Sequence, residues 1–328
     1  MKKIVLSNAY KGAVREFVES LVPEGFTLEI LNTMNSDELK ERIVDADYLL
    51  VSGRMKVDGS VLSAAKQLKM VQRTGVGLDH IDLAYLKENN IPLYVNQGVN
   101  ALSVAEHTLL LMLAVLKRLP QIDRFVKNGG WDKQNNGIQN HELSGKTIGI
   151  IGAGHIGRTV VKLLSGFDVN VIYYDAYRLS EELEQQFKMK YVDLDTLLKE
   201  SDVVSLHCPL LDSTRHMINQ ETLANMKSSA ILVNTSRGPL IDETALVEAL
   251  QNGVIKAAGI DVYESEPVAK DSALLTLENL ITTPHIAGIT RESFGSMISK
   301  AFANMVAYEQ ADFASIEPSR YPYYERVL

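Results

Sequence analysis

The sequence predicts an α/β protein made of two doubly wound parallel-sheet domains with a cleft between them. Three observations carry this reading. At 328 residues the chain exceeds what one hydrophobic core usually fills. Short β-rich segments alternate with amphipathic helical ones in two successive runs, the rhythm of βαβ units and so of parallel sheets. A local phrase also recurs: Asp45-Ala46-Asp47-Tyr48-Leu49-Leu50-Val51-Ser52 is echoed by Glu200-Ser201-Asp202-Val203-Val204-Ser205-Leu206-His207, which implies two related α/β units.

In the first run, strands are expected at 3–6, 27–31, 48–51, 70–72 and 93–95, with helices over 14–21, 37–44 and 81–87. The texture changes near Asn100. Ser103 and Glu106 have capping-box spacing ahead of the apolar run 109–116, which predicts a helix opening there. From Asn128-Gly129-Gly130-Trp131 to His141 the chain is polar and rich in Asn and Gln, and an irregular arm is expected. The second run places strands at 147–151, 169–174, 203–207, 230–234, 257–262 and 280–283. These are near-continuous apolar stretches, as when both sheet faces are covered. A last helix is expected over 291–308.

Composition removes several classes of function. A formal charge of -8 argues against general affinity for nucleic acid or an anionic membrane. Ile4-Val5-Leu6 is too short for a signal-peptide core, and 109–116 is about half of a membrane span. The single cysteine, Cys208, excludes an internal disulfide, and a reducing, cytoplasmic location is expected. No metal is expected.

The segment Ile150-Ile151-Gly152-Ala153-Gly154-His155-Ile156-Gly157 sets G-x-G-x-x-G directly after an apolar strand and before a helical pattern, a Rossmann-like arrangement. Gly152 would allow the tight turn and Gly154 the approach of a pyrophosphate. Gly157 would let the helix sit close to the strand. The free N–H groups of the helix start favour phosphate. About twenty residues on, Asp175 offers a carboxylate to ribose hydroxyls and repels a 2′-phosphate, which favours NAD over NADP. His155 is read as contributing its backbone N–H, not its ring.

Reduction of a ketone by hydride needs an acid, a cation for the carboxylate, and a partner that keeps the acid charged. Three strand ends offer these groups. Arg237, in Asn234-Thr235-Ser236-Arg237-Gly238-Pro239, can fork onto a carboxylate; alone it also reads as a surface arginine in a turn. Asp261 and Glu266, in Asp261-Val262-Tyr263-Glu264-Ser265-Glu266-Pro267, can face the nicotinamide and pair with an imidazole respectively, or be a solvated acidic loop. His285, in Thr283-Pro284-His285-Ile286-Ala287, is the acid candidate, although a lone histidine is more often structural.

Together these phrases resemble the D-isomer-specific 2-hydroxyacid dehydrogenase family. So do Gly75-Val76-Gly77-Leu78-Asp79-His80-Ile81-Asp82, Val95-Asn96-Gln97-Gly98-Val99-Asn100-Ala101 and Ser103-Val104-Ala105-Glu106-His107, so the likeness covers nearly the whole chain. The resemblance implies a discontinuous, flavodoxin-like substrate domain (1–100 and 291–328) and an NAD-binding domain (101–290). It implies a catalytic triad of Arg237, Glu266 and His285. Coenzyme contacts are implied at His155, Ile156, Asp175, Thr235, Ser236, Arg237 and Asp261, and substrate-carboxylate contacts at the backbone of Gly53, Val76 and Gly77. A homodimer built on the Ser103 helix and the Trp131 arm is implied as well. The substrate class implied is a small 2-oxo/2-hydroxy acid, with a coenzyme-sensing, corepressor-like interaction protein as the rival reading. Gln97 and Gly98 depart from the family phrase, which has proline there. Glu266 in place of glutamine, together with Pro284, separates the chain from formate dehydrogenases.

Overall fold

The structure is a computed structural model and describes residues 1–316, 319 and 320. Residues 317, 318 and 321–328, which the sequence reading put in the first domain, lie outside the described residues. The chain divides into two compact units, Met1–Asn100 with Arg291–Leu328, and Ala101–Thr290.

The first unit holds a five-stranded parallel sheet of β1 (Lys2–Leu6), β2 (Phe26–Ile30), β3 (Tyr48–Val51), β4 (Met70–Arg73) and β5 (Leu93–Val95), ordered β2-β1-β3-β4-β5. This is the flavodoxin-like order, which reverses direction between β1 and β3. Alternation along each strand sends Val5, Leu49, Val51, Val71 and Leu93 to one buried face. Ile4, Leu6, Tyr48, Leu50 and Met70 go to the other, where Ile298, Ala301, Phe302 and Met305 of the helix Arg291–Glu309 cover them. The helix Arg291–Glu309, far along the chain from β1–β5, therefore completes the first unit's core.

The second unit holds seven parallel strands: β6 (Thr147–Ile151), β7 (Asn170–Tyr174), β8 (Met189–Tyr191), β9 (Val203–Leu206), β10 (Ile231–Asn234), β11 (Ala257–Ile260) and β12 (Leu280–Thr282). Their order is β12-β11-β10-β9-β6-β7-β8. Counted from its own first strand this is the dinucleotide-binding order 3-2-1-4-5-6 with a seventh strand added, and it reverses between β6 and β9. Ligands of such sheets bind outside the carboxyl ends of the strands at that reversal.

The repeated phrase is a repeated structure. It covers β3 and β9, the strands lying across the reversal from the first strand of each sheet. Asp47 Oδ2 accepts the N–H of Lys3 at 2.9 Å, and Asp202 Oδ2 accepts that of Thr147 at 2.9 Å. In both units an acid before one strand fastens the start of its neighbour.

Two expectations are corrected. Ser103 is not a cap: the helix runs Ala101–Leu116, and the Ser103 hydroxyl lies 3.4 Å from that of Thr290. The capping-box spacing occurs by coincidence inside a helix whose apolar residues begin with Ala101. The arm is not irregular throughout, since the helix Lys133–Gly137 interrupts it, capped by Asp132, whose carboxylate accepts from Asn135 N–H. No helix among the described residues is long and apolar enough to cross a membrane.

Candidate active site

In the second unit, the site residues expected from the sequence lie at the carboxyl ends of the strands: the glycine turn and the start of the helix His155–Leu164 after β6, Asp175 after β7, Thr235 to Arg237 after β10, Asp261 and Glu266 after β11, and His285 after β12. The glycine loop leaves β6. Gly152 sits at φ +97°, and a Cβ there would lie 2.5 Å from the backbone N of Cys208. A Cβ on Gly157 would lie 2.2 Å from the Gly152 carbonyl oxygen, so the helix His155–Leu164 packs directly on the turn. Gly154 faces open space, with nothing within 4 Å of such a Cβ. Asp175 Oδ2 accepts the N–H of Ala153 at 2.7 Å and Oδ1 that of Tyr177 at 2.9 Å, which seats the acid beside the loop. A tight turn, an open backbone approach, a free helix start and an adjacent carboxylate fit a dinucleotide with an unmodified adenosine ribose.

Sequence reasoning missed His207, which packs on this turn and follows β9. Its N–H donates to Ile151 O at 2.7 Å and its Nε2 lies 2.9 Å from Ser205 Oγ. Desolvation pushes the imidazole down to about 3, so it is neutral. Burial likewise pushes the neighbouring Cys208 thiol up to about 12, which makes it an unreactive core group.

After β10, the wholly buried Asn234 shapes the next loop: its Nδ2 donates to Arg237 O at 2.8 Å and its Oδ1 accepts Ser236 N–H at 3.0 Å. Ser236 Oγ donates to Cys208 O at 2.6 Å, Thr235 Oγ1 lies 2.8 Å from Thr108 Oγ1, and Arg237 Nη1 donates to Ser236 O at 2.8 Å. Gly238 lies so close to the Tyr263–Glu264 backbone that a Cβ would come within 1.9 Å of the Tyr263 carbonyl carbon. The Arg237 loop and the Glu266 loop are thereby in direct backbone contact.

Glu266 and His285 meet. His285 Nδ1 lies 3.2 and 3.3 Å from the two carboxylate oxygens, and the side chains are 10% and 36% exposed for Glu266 and His285 respectively. Tyr263 N–H, at 2.9 Å, holds the same carboxylate. His285 has a left-handed backbone, φ 53°, fixed by its N–H donating to Asp261 O at 2.7 Å and Thr283 O at 3.1 Å.

Asp261 is 0% exposed and its carboxylate is occupied: Oδ1 accepts from Thr283 Oγ1 (2.6 Å) and Ile286 N–H (2.9 Å), and Oδ2 from Ala287 N–H (2.8 Å). With its one proton given to Asp261, Thr283 Oγ1 accepts from His107 Nε2–H at 3.0 Å. His107 and Thr283 were not singled out from the sequence.

In the first unit, Gly53 has φ +70° and packs against Asn8, whose Nδ2 would lie 2.7 Å from a Cβ there. The Gly75–Gly77 loop is held at both ends. Arg73 Nε donates to Gly77 O at 2.9 Å while its Nη1 donates to Val51 O at 3.1 Å. Asn96 Nδ2 donates to Thr74 O at 3.2 Å and Met297 O at 2.7 Å. Asn96 is itself backed by Gln72, and Gln72 by Asn304, all three buried. Among the described residues no group of three His, Cys, Asp or Glu side chains is arranged to hold a metal.

Fold and loop geometry define an NAD-dependent oxidoreductase. The model of the D-isomer specific 2-hydroxyacid dehydrogenase NAD-binding domain matches residues 109–287. Over 315 residues the chain is 38% identical to the D-3-phosphoglycerate dehydrogenase of Archaeoglobus fulgidus, covering 94% of this chain and 59% of that relative. It is 42% identical over 273 residues to the glyoxylate reductase of Thermofilum pendens, covering 83% of this chain and 80% of the relative. The crystal structure of D-lactate dehydrogenase from Aquifex aeolicus, complexed with NAD and lactic acid, superposes with a TM-score of 0.83 at 32% identity, covering 97% of this chain and 98% of that one. The chain belongs to the D-isomer-specific 2-hydroxyacid dehydrogenase family, whose members act on the CH–OH group of 2-hydroxy acids with NAD.

Proposed function

We propose that this chain interconverts a small 2-oxo acid and the D-2-hydroxy acid with NAD(H), using His285 as the acid/base. The observation that carries the proposal is the pairing of His285 Nδ1 with Glu266 at 3.2 Å, on loops at the same end of the sheet as the glycine turn. Bound NADH supplies the hydride. The chain supplies the rest. Gly152, Gly154, Gly157 and the amides of His155 and Ile156 hold the pyrophosphate, and Asp175 the ribose, with Thr235 and Ser236 on the same coenzyme. The Gly53, Val76 and Gly77 amides and Arg237 hold the substrate carboxylate. His285, protonated and oriented by Glu266, gives its proton to the developing alkoxide and takes it back in the reverse direction.

Asp261 works by position: both its oxygens go to the loop that carries His285, which leaves it the task of fixing the ring's bearing. Names among the relatives, glyoxylate reductase and hydroxypyruvate reductase, recommend glyoxylate and hydroxypyruvate as the first substrates to try. The comparisons lend no support to a corepressor-like protein. The test is NADH oxidation over a panel of 2-oxo acids, with His285→Ala beside wild type. The variant is expected to lose about 10³-fold or more in kcat while binding NADH within about twofold of wild type. Turnover at wild-type rate by His285→Ala refutes the assignment.

A further inference from the structure

The amino-terminal end of the second sheet, where its strands begin, gathers cations. Lys117 and Arg118 follow the helix Ala101–Leu116, Lys146 leads into β6, and Lys256 leads into β11. His141 joins them: its N–H donates to Leu116 O at 3.0 Å and its Nε2 contacts Lys256 Nζ. Among the described residues, none of these five side chains has a carboxylate within 4.0 Å. Their mutual repulsion is felt. Burial, then Lys256, Lys146 and Lys117, holds His141 below the usual imidazole range. Burial, then Lys146 and Arg118, holds Lys256 below the usual amine range.

Arg118 adds a geometric sign. It has a left-handed backbone, φ 51°, and its Nη1 is fully buried with no hydrogen-bond partner. A buried guanidinium N–H without an acceptor costs more than almost any other orphan donor. The amide oxygens of Gln121, one turn further on, and of Asn140, next to His141, are also buried without a donor. An unsatisfied guanidinium donor set among other cations matches a small oxyanion, which brings both acceptors and negative charge.

We propose that Arg118, His141, Lys146 and Lys256 bind a small oxyanion of the phosphate class, at a site separate from the coenzyme loop. Neither the reaction nor the catalytic pair enters this proposal. The test is thermal unfolding of the full chain at saturating NADH, which fills the coenzyme's own phosphate site, in inorganic phosphate against sodium chloride of equal ionic strength.

Phosphate in large excess over its dissociation constant is expected to raise the wild-type Tm by about 5 °C. Arg118→Gln and Lys256→Gln are expected to lose this increment, and calorimetric titration to find one phosphate site per chain in wild type that both variants lack. Lys256→Gln is also expected to melt higher than wild type without phosphate at low salt, because it relieves repulsion; a residue with only a packing role would melt lower. Equal phosphate increments in wild type and both variants would overturn the proposal, as would a Lys256→Gln variant that melts lower in phosphate-free buffer.

Discussion

Gly238 and His207 show how single residues near the proposed site carry constraints of different kinds. At Gly238 the constraint is space. A Cβ would come within 1.9 Å of the Tyr263 carbonyl carbon, so Gly238→Ala must push apart the loops bearing Arg237 and Glu266. A loss of about 3 kcal/mol or more is expected in urea unfolding, with turnover falling further than stability alone explains. At His207 the constraint is charge. The folded chain does not protonate this ring until about pH 3, whereas an unfolded chain does so near the ordinary value of 6.5. The unfolded state therefore binds the extra proton between those limits. The contribution to stability is complete above about pH 6.5 and is lost as the pH falls toward 3. For a ring that keeps some solvent contact the size is about 2 kcal/mol. His207→Gln is expected to flatten the acid limb of a Tm-against-pH curve, and an unchanged slope would show that the ring is not the titrating group.

At the scale of elements, the sequence was most legible where chemistry is written in contiguous residues. The strand, glycine turn and helix of 147–164 are one contiguous stretch, and the three loops after β10, β11 and β12 each announce themselves within ten residues. The supports of those loops were not legible, because their partners are distant in sequence. His107 reaches Thr283 across 176 positions, Asn96 reaches Met297 across 201, and Asn304 reaches Gln72 across 232. Ser103 was misread for the converse reason, a local spacing that tertiary packing did not use. Arg73 illustrates what such supports do. It grips Gly77 O and Val51 O together and so sets the Val76 and Gly77 amides that we assign to the substrate carboxylate. Arg73→Gln is expected to raise KM for the oxo acid by about 10- to 100-fold, with KM for NADH within twofold, and Arg73→Lys to recover part of the loss. Equal changes in both KM values would mean general loosening of the fold.

At the scale of the whole molecule, the second unit bears apolar side chains out in solvent. Leu102 and Leu110 on the long helix are each more than half exposed, and Trp131 and Ile138 on the arm are 86% and 85% exposed. A solvated surface does not keep such residues without reason, and they support the homodimer we propose for this chain. Light scattering is expected to give twice the 36.3 kDa chain mass for wild type and the chain mass for Leu110→Glu. A monomeric wild type would remove the dimer from the account.

The left-handed turn at His285 reaches beyond its own loop. The backbone bends that imidazole into place through Asp261 and Thr283, both from the same unit, so its aim is settled when the chain folds and not when a ligand arrives. In the function we propose, substitutions before Asn100 can therefore change which acid is taken while the proton donor keeps its bearing.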